Sequence, residues 1–311
     1  MEFDFGPEVC GSVPDALRRE WLETDGLGGF ASSTLMGLNS RRYHGLFVPA
    51  LRPPTDRYVL LSRVEETLVV AGDRYDLGTN QYPGTIHPRG FQYLVRFRLD
   101  PFPIWTFRVG DVELEKQFFL VHGDRVAVLQ YSLRAPTGAP DARLEVRPLI
   151  AFRDYHSLSH ENPALNAGFS EEDGRVGLRP YPDLPELFLG HSAARVEAQG
   201  WWYRRFQYEE ERTRGLEWEE DLFCPCVLTY DLGTAGRGAL IASLEPRRAG
   251  DAPELEETER RRRASLDGAA PVSTRLVRAL SRAADQFVVR RGDGATIVAG
   301  YPWFTDWGRD P

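Results

Sequence analysis

The stretch YPWFTDWGRDP, Tyr301–Pro311, sets four aromatic side chains beside two aspartates and an arginine. Trp303, Phe304 and Trp307 offer flat apolar faces, while Asp306, Arg309 and Asp310 offer fixed polar groups. A sugar makes this mixed demand: its C–H faces lie on aromatic rings, and its hydroxyls seek carboxylate or guanidinium partners. Composition leaves a second reading equally open, an aromatic seam that seals one element against another. In either case such groups need rigid support, and adjacent Arg and Asp satisfy each other best through hydrogen bonds.

A second chemical stretch is WLETDGLGGFASSTLMGLNSRRYHGLFV, Trp21–Val48. Gly26, Gly28 and Gly29 permit tight turns or close backbone approach. Their GxGG spacing, with no strand clearly before it and no ribose-binding acid about 20 residues later, does not predict a dinucleotide site, so no cofactor is expected. Within this stretch Asn39, Arg41, Arg42, Tyr43 and His44 concentrate donors and acceptors. Strand alternation would put Arg41, Tyr43 and Gly45 on one face, with Arg42 and His44 on the other. Two roles stay open: a polar network pinning strands or an interdomain seam, or contact with an approaching polyol. No nucleophile stands near His44, so no catalytic residue is assigned.

A third stretch, RDYHSLSHENP, carries Asp154, His156, His160 and Glu161. It lacks the H-E-x-x-H pattern of a helical zinc site, so a hydrogen-bonded loop is expected rather than a metal centre. Such a loop could line a groove at the end of a sandwich. Cys10, Cys224 and Cys226 do not form a disulfide framework. Cys224 and Cys226 flank one proline, and strand alternation predicts both thiols toward the core.

The elements that must position these groups read mostly as strands. FQYLVRFRL predicts Phe91, Tyr93, Val95, Phe97 and Leu99 on one face; VELEKQFFL predicts the same of Val112, Leu114, Phe118 and Leu120. RVAVLQYSL, RLEVRPLI, WWYRRFQYEEE, CVLTYDL and GALIASL continue the style, separated by turn-like pieces. No strand–helix–strand rhythm appears, which disfavours a parallel sheet and predicts a large antiparallel sandwich. Beyond Pro246 the chain is polar. It predicts an exposed helix from about Pro253 to Leu266, with no core stripe, as a linker or cover. Val272, Leu276, Leu280, Ala284 and Phe287 then recur at helical spacing, with Ser273 or Thr274 as cap and Gly292 and Gly294 as stops.

Hydrophobic residues make up 42% and charged residues 27%, which excludes whole-chain disorder. The 46 acidic residues outnumber the 38 basic ones, for a net charge of −8, so no nucleic-acid partner is expected. The N-terminus has no apolar signal region and no window reaches 18 apolar residues, so a cytoplasmic location without a membrane partner is expected.

TDGLGGFASSTLMGLNSRRYHGLFV, together with AADQFVV and TIVAGYPWFTDWGRD, resembles the bacterial and archaeal glycogen debranching enzymes of the amylo-α-1,6-glucosidase type. The resemblance implies an N-terminal supersandwich-like domain over 1–268. It implies that 269–311 form a linker helix and the truncated start of an (α/α)6 catalytic barrel. It further implies hydrolysis of α-1,6 branch linkages in glycogen, branched α-glucan or limit dextrin. Trp303, Asp306, Trp307, Arg309 and Asp310 would bind substrate, and Asn39, Arg41, Arg42, Tyr43 and His44 would lie at the substrate approach or the interdomain seam. The catalytic acids are expected in the chain's own C-terminal (α/α)6 domain, downstream of these residues, leaving the 311 residues alone inactive. Where the family continues its Trp-Gly-Arg-Asp-Thr, this sequence has Pro311. A non-catalytic α-glucan-binding or scaffold module is the alternative.

Overall fold

A computed structural model describes residues 3–138, 141–269 and 274–304. Two nine-stranded antiparallel sheets face each other. The first runs Phe3–Phe5, Leu94–Leu99, Pro103–Val109, Val112–Leu120, Val126–Arg134, Arg237–Ser243, Leu187–His191, Arg175–Leu178, Phe169–Glu172. The second runs Arg195–Gln207, Glu219–Gly233, Ala142–Asp154, Thr55–Val70, Gly45–Val48, Phe30–Thr34, Glu20–Thr24. Ala50–Arg52 and Asp73–Asp76 also pair with Thr55–Val70. The period-two pattern thus gives the sandwich expected from it.

Alternate residues of single strands enter different cores. Ala127 and Leu129 fill the space between the sheets, whereas Val126 and Val128 pack outward against Phe102, Phe119 and Ile241. Likewise Ile150 and Phe152 point between the sheets, while Leu149 and Ala151 join an outer cluster with Phe30, Tyr43, Val59 and Tyr155. Each sheet therefore has a buried outer face that something else must cover.

For the first sheet the cover is the helix Ala252–Ala269. Ala252 is buried in the outer cluster, and the Arg260 and Arg263 guanidinium groups stack over Phe102 at 4.9 and 4.6 Å. Arg263 also pairs with buried Glu23 at 2.5 Å and with Glu259 at 2.9 Å. Docking by arginine stems and charge explains a covering helix without an apolar stripe.

Four local expectations are corrected. Phe91 lies in a one-turn 3-10 helix, Gly90–Gln92, rather than on the strand, and the ladder shifts between Leu94 and Arg96, so Leu94 joins Phe91 and Phe97 in the core while Tyr93, Val95 and Leu99 are only partly buried. Both Cys224 and Cys226 are buried, but Cys226 enters the inter-sheet core and Cys224 the outer cluster. The ladder to Ala142–Asp154 shifts across Phe223–Leu228, and one extra residue there inverts the alternation. The second helix spans Arg275–Asp285, capped by Thr274, whose hydroxyl accepts from the Val277 amide at 3.3 Å. It stops before Gly292, because Val288–Arg291 forms a hairpin with Gly294–Ile297 around Gly292 in the left-handed region (φ +57°). Leu276 and Leu280 of that helix are exposed, and Val272 lies outside the described residues. The fourth correction concerns the Asn39–His44 segment and belongs to the site. No helix among the described residues is long and apolar enough to cross a membrane.

Candidate functional site

The outer cluster of the second sheet is where the two chemical stretches meet. Strand Thr55–Val70 contributes Arg57, which is fully buried. Its Nε donates to the Gly28 carbonyl at 2.7 Å and its Nη1 to the Phe304 carbonyl at 2.8 Å. The guanidinium lies 4.8 Å from the Tyr301 ring centre and 5.6 Å from those of Phe30 and Tyr155. A buried cation needs such partners, and an aromatic cage supplies part of the stabilisation that water would give.

The glycine stretch is a carboxylate nest. The Asp25 Oδ1 atom accepts from the Leu27 amide at 2.7 Å and the Gly29 amide at 2.9 Å. Burial pushes its pKa up to about 6, with the two amides and Arg57 pulling the other way. A side chain at Gly29 would meet Asp25 Oδ2 at 2.3 Å, and one at Gly28 (φ +98°) would meet the Pro54 carbonyl oxygen at 2.2 Å. These glycines serve a close backbone approach.

Asn39–His44 forms a turn between strands Phe30–Thr34 and Gly45–Val48 rather than a continuation of strand alternation. Its own polar groups hold it. The Ser33 hydroxyl donates to Asn39 Oδ1 at 2.8 Å, the Ser40 amide to His44 Nδ1 at 3.1 Å, and the Arg42 amide to Glu211 Oε2 at 3.0 Å. His44 is fully buried, with Nε2 3.7 Å from Glu20. The pinning network is therefore present.

The turn also reaches the C-terminal stretch. Arg41, paired with Glu20 at 2.8 Å, stacks over the Trp303 ring at 5.2 Å, and the Tyr43 ring meets Trp303 edge-on at 6.4 Å. The Tyr155 hydroxyl donates to the Trp303 carbonyl at 3.5 Å. The Tyr43 hydroxyl and His156 Nδ1 are 3.1 Å apart, and burial lowers the His156 pKa. Trp303 is half-buried, and its Nε1 has no hydrogen-bond partner among the described residues. Asp306, Trp307, Arg309 and Asp310 lie outside the described residues.

The loop after strand Ala142–Asp154 is hydrogen-bonded as expected. Buried Arg153 donates to the Arg42 carbonyl at 2.7 Å and pairs with buried Glu220, which also accepts from Tyr208 and from the Ser159 amide. Arg57, Asp25 and Tyr155 are contributors that sequence reasoning missed. Their local contexts are ordinary, since the partners of Arg57 lie 29 and 247 residues away. Among the described residues, no group of three or more His, Cys, Asp and Glu side chains could hold a metal ion.

Chemically this cluster sets aromatic faces beside guanidinium groups. Its carboxylates are engaged: Asp25 by backbone amides, Glu20 by Arg41, and Asp154 by the His156 amide. A cavity of about 630 Å³ lies elsewhere, between Phe5, Trp21, Phe97 and the two helices. Its Arg263, Arg262 and Arg282 are taken by Glu23, Asp285 and Asp267, as in a docking seam.

The fold and this cluster define a large β-sandwich whose outer face is met by the segment Tyr301–Phe304. More particularly, the chain belongs to the family described as glycogen debranching enzyme N terminal, whose model matches residues 19–237. The model described as amylo-alpha-1,6-glucosidase matches residues 282–311. No curated protein sequence matches the chain. Among solved structures, one described as a kojibiose phosphorylase from the human microbiome is 11% identical with a TM-score of 0.31, covering 86% of this chain and 31% of that one. A bacterial glucoamylase complexed with acarbose is 8% identical with a TM-score of 0.37, covering 76% and 34%. The chain thus spans about a third of the length of these structures.

Proposed function

We propose that the chain is the N-terminal sandwich, to about residue 268, and the start of the glucosidase domain of an enzyme that hydrolyses α-1,6-glucosidic branch linkages in glycogen-like α-glucans. The observation that carries this reading is the meeting of its two family-like stretches: Trp303 rests on Arg41 and Tyr43, and Arg57 holds the Phe304 carbonyl. The sandwich then acts as a rigid wall behind this segment, and Trp303, Asp306, Trp307, Arg309 and Asp310 bind a glucose residue. Asn39, Arg41, Arg42, Tyr43 and His44 support that wall at the interdomain seam. Hydrolysis needs one protonated carboxylic acid at the leaving oxygen and one carboxylate that activates water or attacks carbon. Both acids belong to the glucosidase domain, outside these 311 residues.

A second reading, a scaffold that contacts no glucan, is favoured by the rings of Tyr301 and Trp303 lying against Phe30 and Tyr43. Glucose release from a limit dextrin separates the two. The enzyme carrying the glucosidase domain should release glucose, and the 311-residue chain alone should not, while still binding maltotriose weakly by calorimetry. Release of glucose by the 311 residues would place the acids inside them and overturn the division of labour. Absence of maltotriose binding would favour the scaffold.

A further inference from the structure

The strand Arg195–Gln207 is the edge of the second sheet, yet it is poorly shaped to accept another strand. Its ladder with Glu219–Gly233 shifts twice, between Ala198 and Trp201 and between Tyr203 and Phe206. At each shift the edge strand carries one residue more than its partner. Gly200 (φ +67°) and Arg205 (φ +65°) take left-handed backbone at these points. For Arg205, which has a Cβ, that conformation is strained. Bulges of this kind protect an edge and re-aim side chains.

What they aim is Trp201. It is 62% exposed, whereas its neighbour Trp202 packs on Phe223 at 5.4 Å. Beside Trp201 a groove of about 630 Å³ is walled by Tyr82, Tyr203, Glu161 and Arg204. Both walls are fixed. Tyr82 packs on buried Phe206 at 5.0 Å, and Asp221 accepts from the Glu161 amide at 3.0 Å and from the Arg205 amide at 2.8 Å. Arg204 and Glu161 pair across the rim, both half in solvent. Their charges cancel, so the groove offers an aromatic platform and hydrogen-bonding groups without attracting an ion.

We propose that this groove is a second carbohydrate site, in which a pyranose ring of a linear α-1,4-glucan segment stacks on Trp201 while Glu161 and Arg204 bind its hydroxyls. The groove's own chemistry calls for a neutral pyranose; the choice of an α-glucan rests on the function proposed above. The loop that carries Glu161 also carries His156, which meets Tyr43, so the same short segment walls both this groove and the Trp303 cluster. The site would hold an outer chain of the polymer while a branch is presented elsewhere.

The 311-residue chain titrated with maltoheptaose tests this. The Trp201 indole N–H resonance, identified by its loss in Trp201→Ala, should shift with sugar, and Trp201→Ala should weaken this binding about tenfold. Trp201→Phe should recover part of it, and Trp303→Ala should leave the Trp201 shift in place. A static Trp201 resonance with unchanged affinity in Trp201→Ala would overturn the proposal. A response to cellohexaose but not to maltoheptaose would overturn the α-glucan assignment. Self-association that Trp201→Ala abolishes, without any sugar response, would overturn it in favour of a protein interface. The readout needs no turnover, so it decides the groove whichever way the glucose-release assay falls.

Discussion

The Arg57 guanidinium joins Gly28 to Phe304, two backbone carbonyls in stretches at opposite ends of the chain. One buried cation thereby fixes the outer face of the second sheet to the segment that precedes Thr305. Replacing it with an apolar residue of similar length takes one donor from each of two carbonyls and removes a cation from three rings. Arg57→Met should lower unfolding stability by about 2–4 kcal/mol in urea titrations. Arg57→Lys should recover only part, since an ammonium lacks the planar fork. A loss under 0.5 kcal/mol would mean that the clamp is incidental.

The close approach at Gly28 makes a sharper steric claim. Gly28→Ala would place a methyl group 2.2 Å from the Pro54 carbonyl oxygen on left-handed backbone. Destabilisation of at least about 2 kcal/mol is expected. A variant with the stability of the parent would show that the loop has room to move.

Asp25 gives a pH signature of stated sign. Burial raises its folded pKa to about 6, above an ordinary value of 3.8. Between pH 4 and 6 the folded chain therefore holds more of this proton than the unfolded chain, and the Asp25 contribution to stability falls as pH rises. The loss is complete above about pH 6 and amounts to about 3 kcal/mol at most. Asp25→Asn keeps an acceptor for the two amides, so its stability should lack this decline. Parallel pH profiles of parent and variant between pH 4 and 6 would refute the assignment.

The Arg153–Glu220 pair is buried on both sides and anchors the loop through Ser159. Glu220→Gln leaves a buried guanidinium without its counter-charge, which should cost about 3 kcal/mol or more. Limited proteolysis should cut between Tyr155 and Asn162 faster than in the parent. Unchanged cleavage would separate the loop from the pair.

The sandwich was legible because alternation over many strands survives local irregularity. Single ladders were not, because one extra residue inverts a face: the bulge before Leu228 separates Cys224 from Cys226, and the shift between Leu94 and Arg96 turns Leu94 inward with Phe97. The covering helix was legible as a helix, while its docking was hidden in arginine stems that pattern analysis counts as polar. Val288–Arg291 reads as the end of the helix, and its pairing with Gly294–Ile297 makes it a strand instead. At the site, YPWF and NSRRYH stood out by composition, and the fold brings Trp303, Arg41 and Tyr43 together. Their meeting point, Arg57, is an ordinary strand residue until its distant partners arrive.

The central claim is that the last residues form half of a sugar cradle whose bond-breaking groups come from the glucosidase domain. Its most direct test is Asp310→Ala in the enzyme carrying that domain, assayed for glucose release from a limit dextrin. A fall in kcat/KM of about a hundredfold or more, with circular dichroism and melting temperature unchanged, is expected if Asp310 grips substrate hydroxyls. Parent-like kcat/KM, or collapse of the fold, would contradict the claim and leave the stretch as a structural seam.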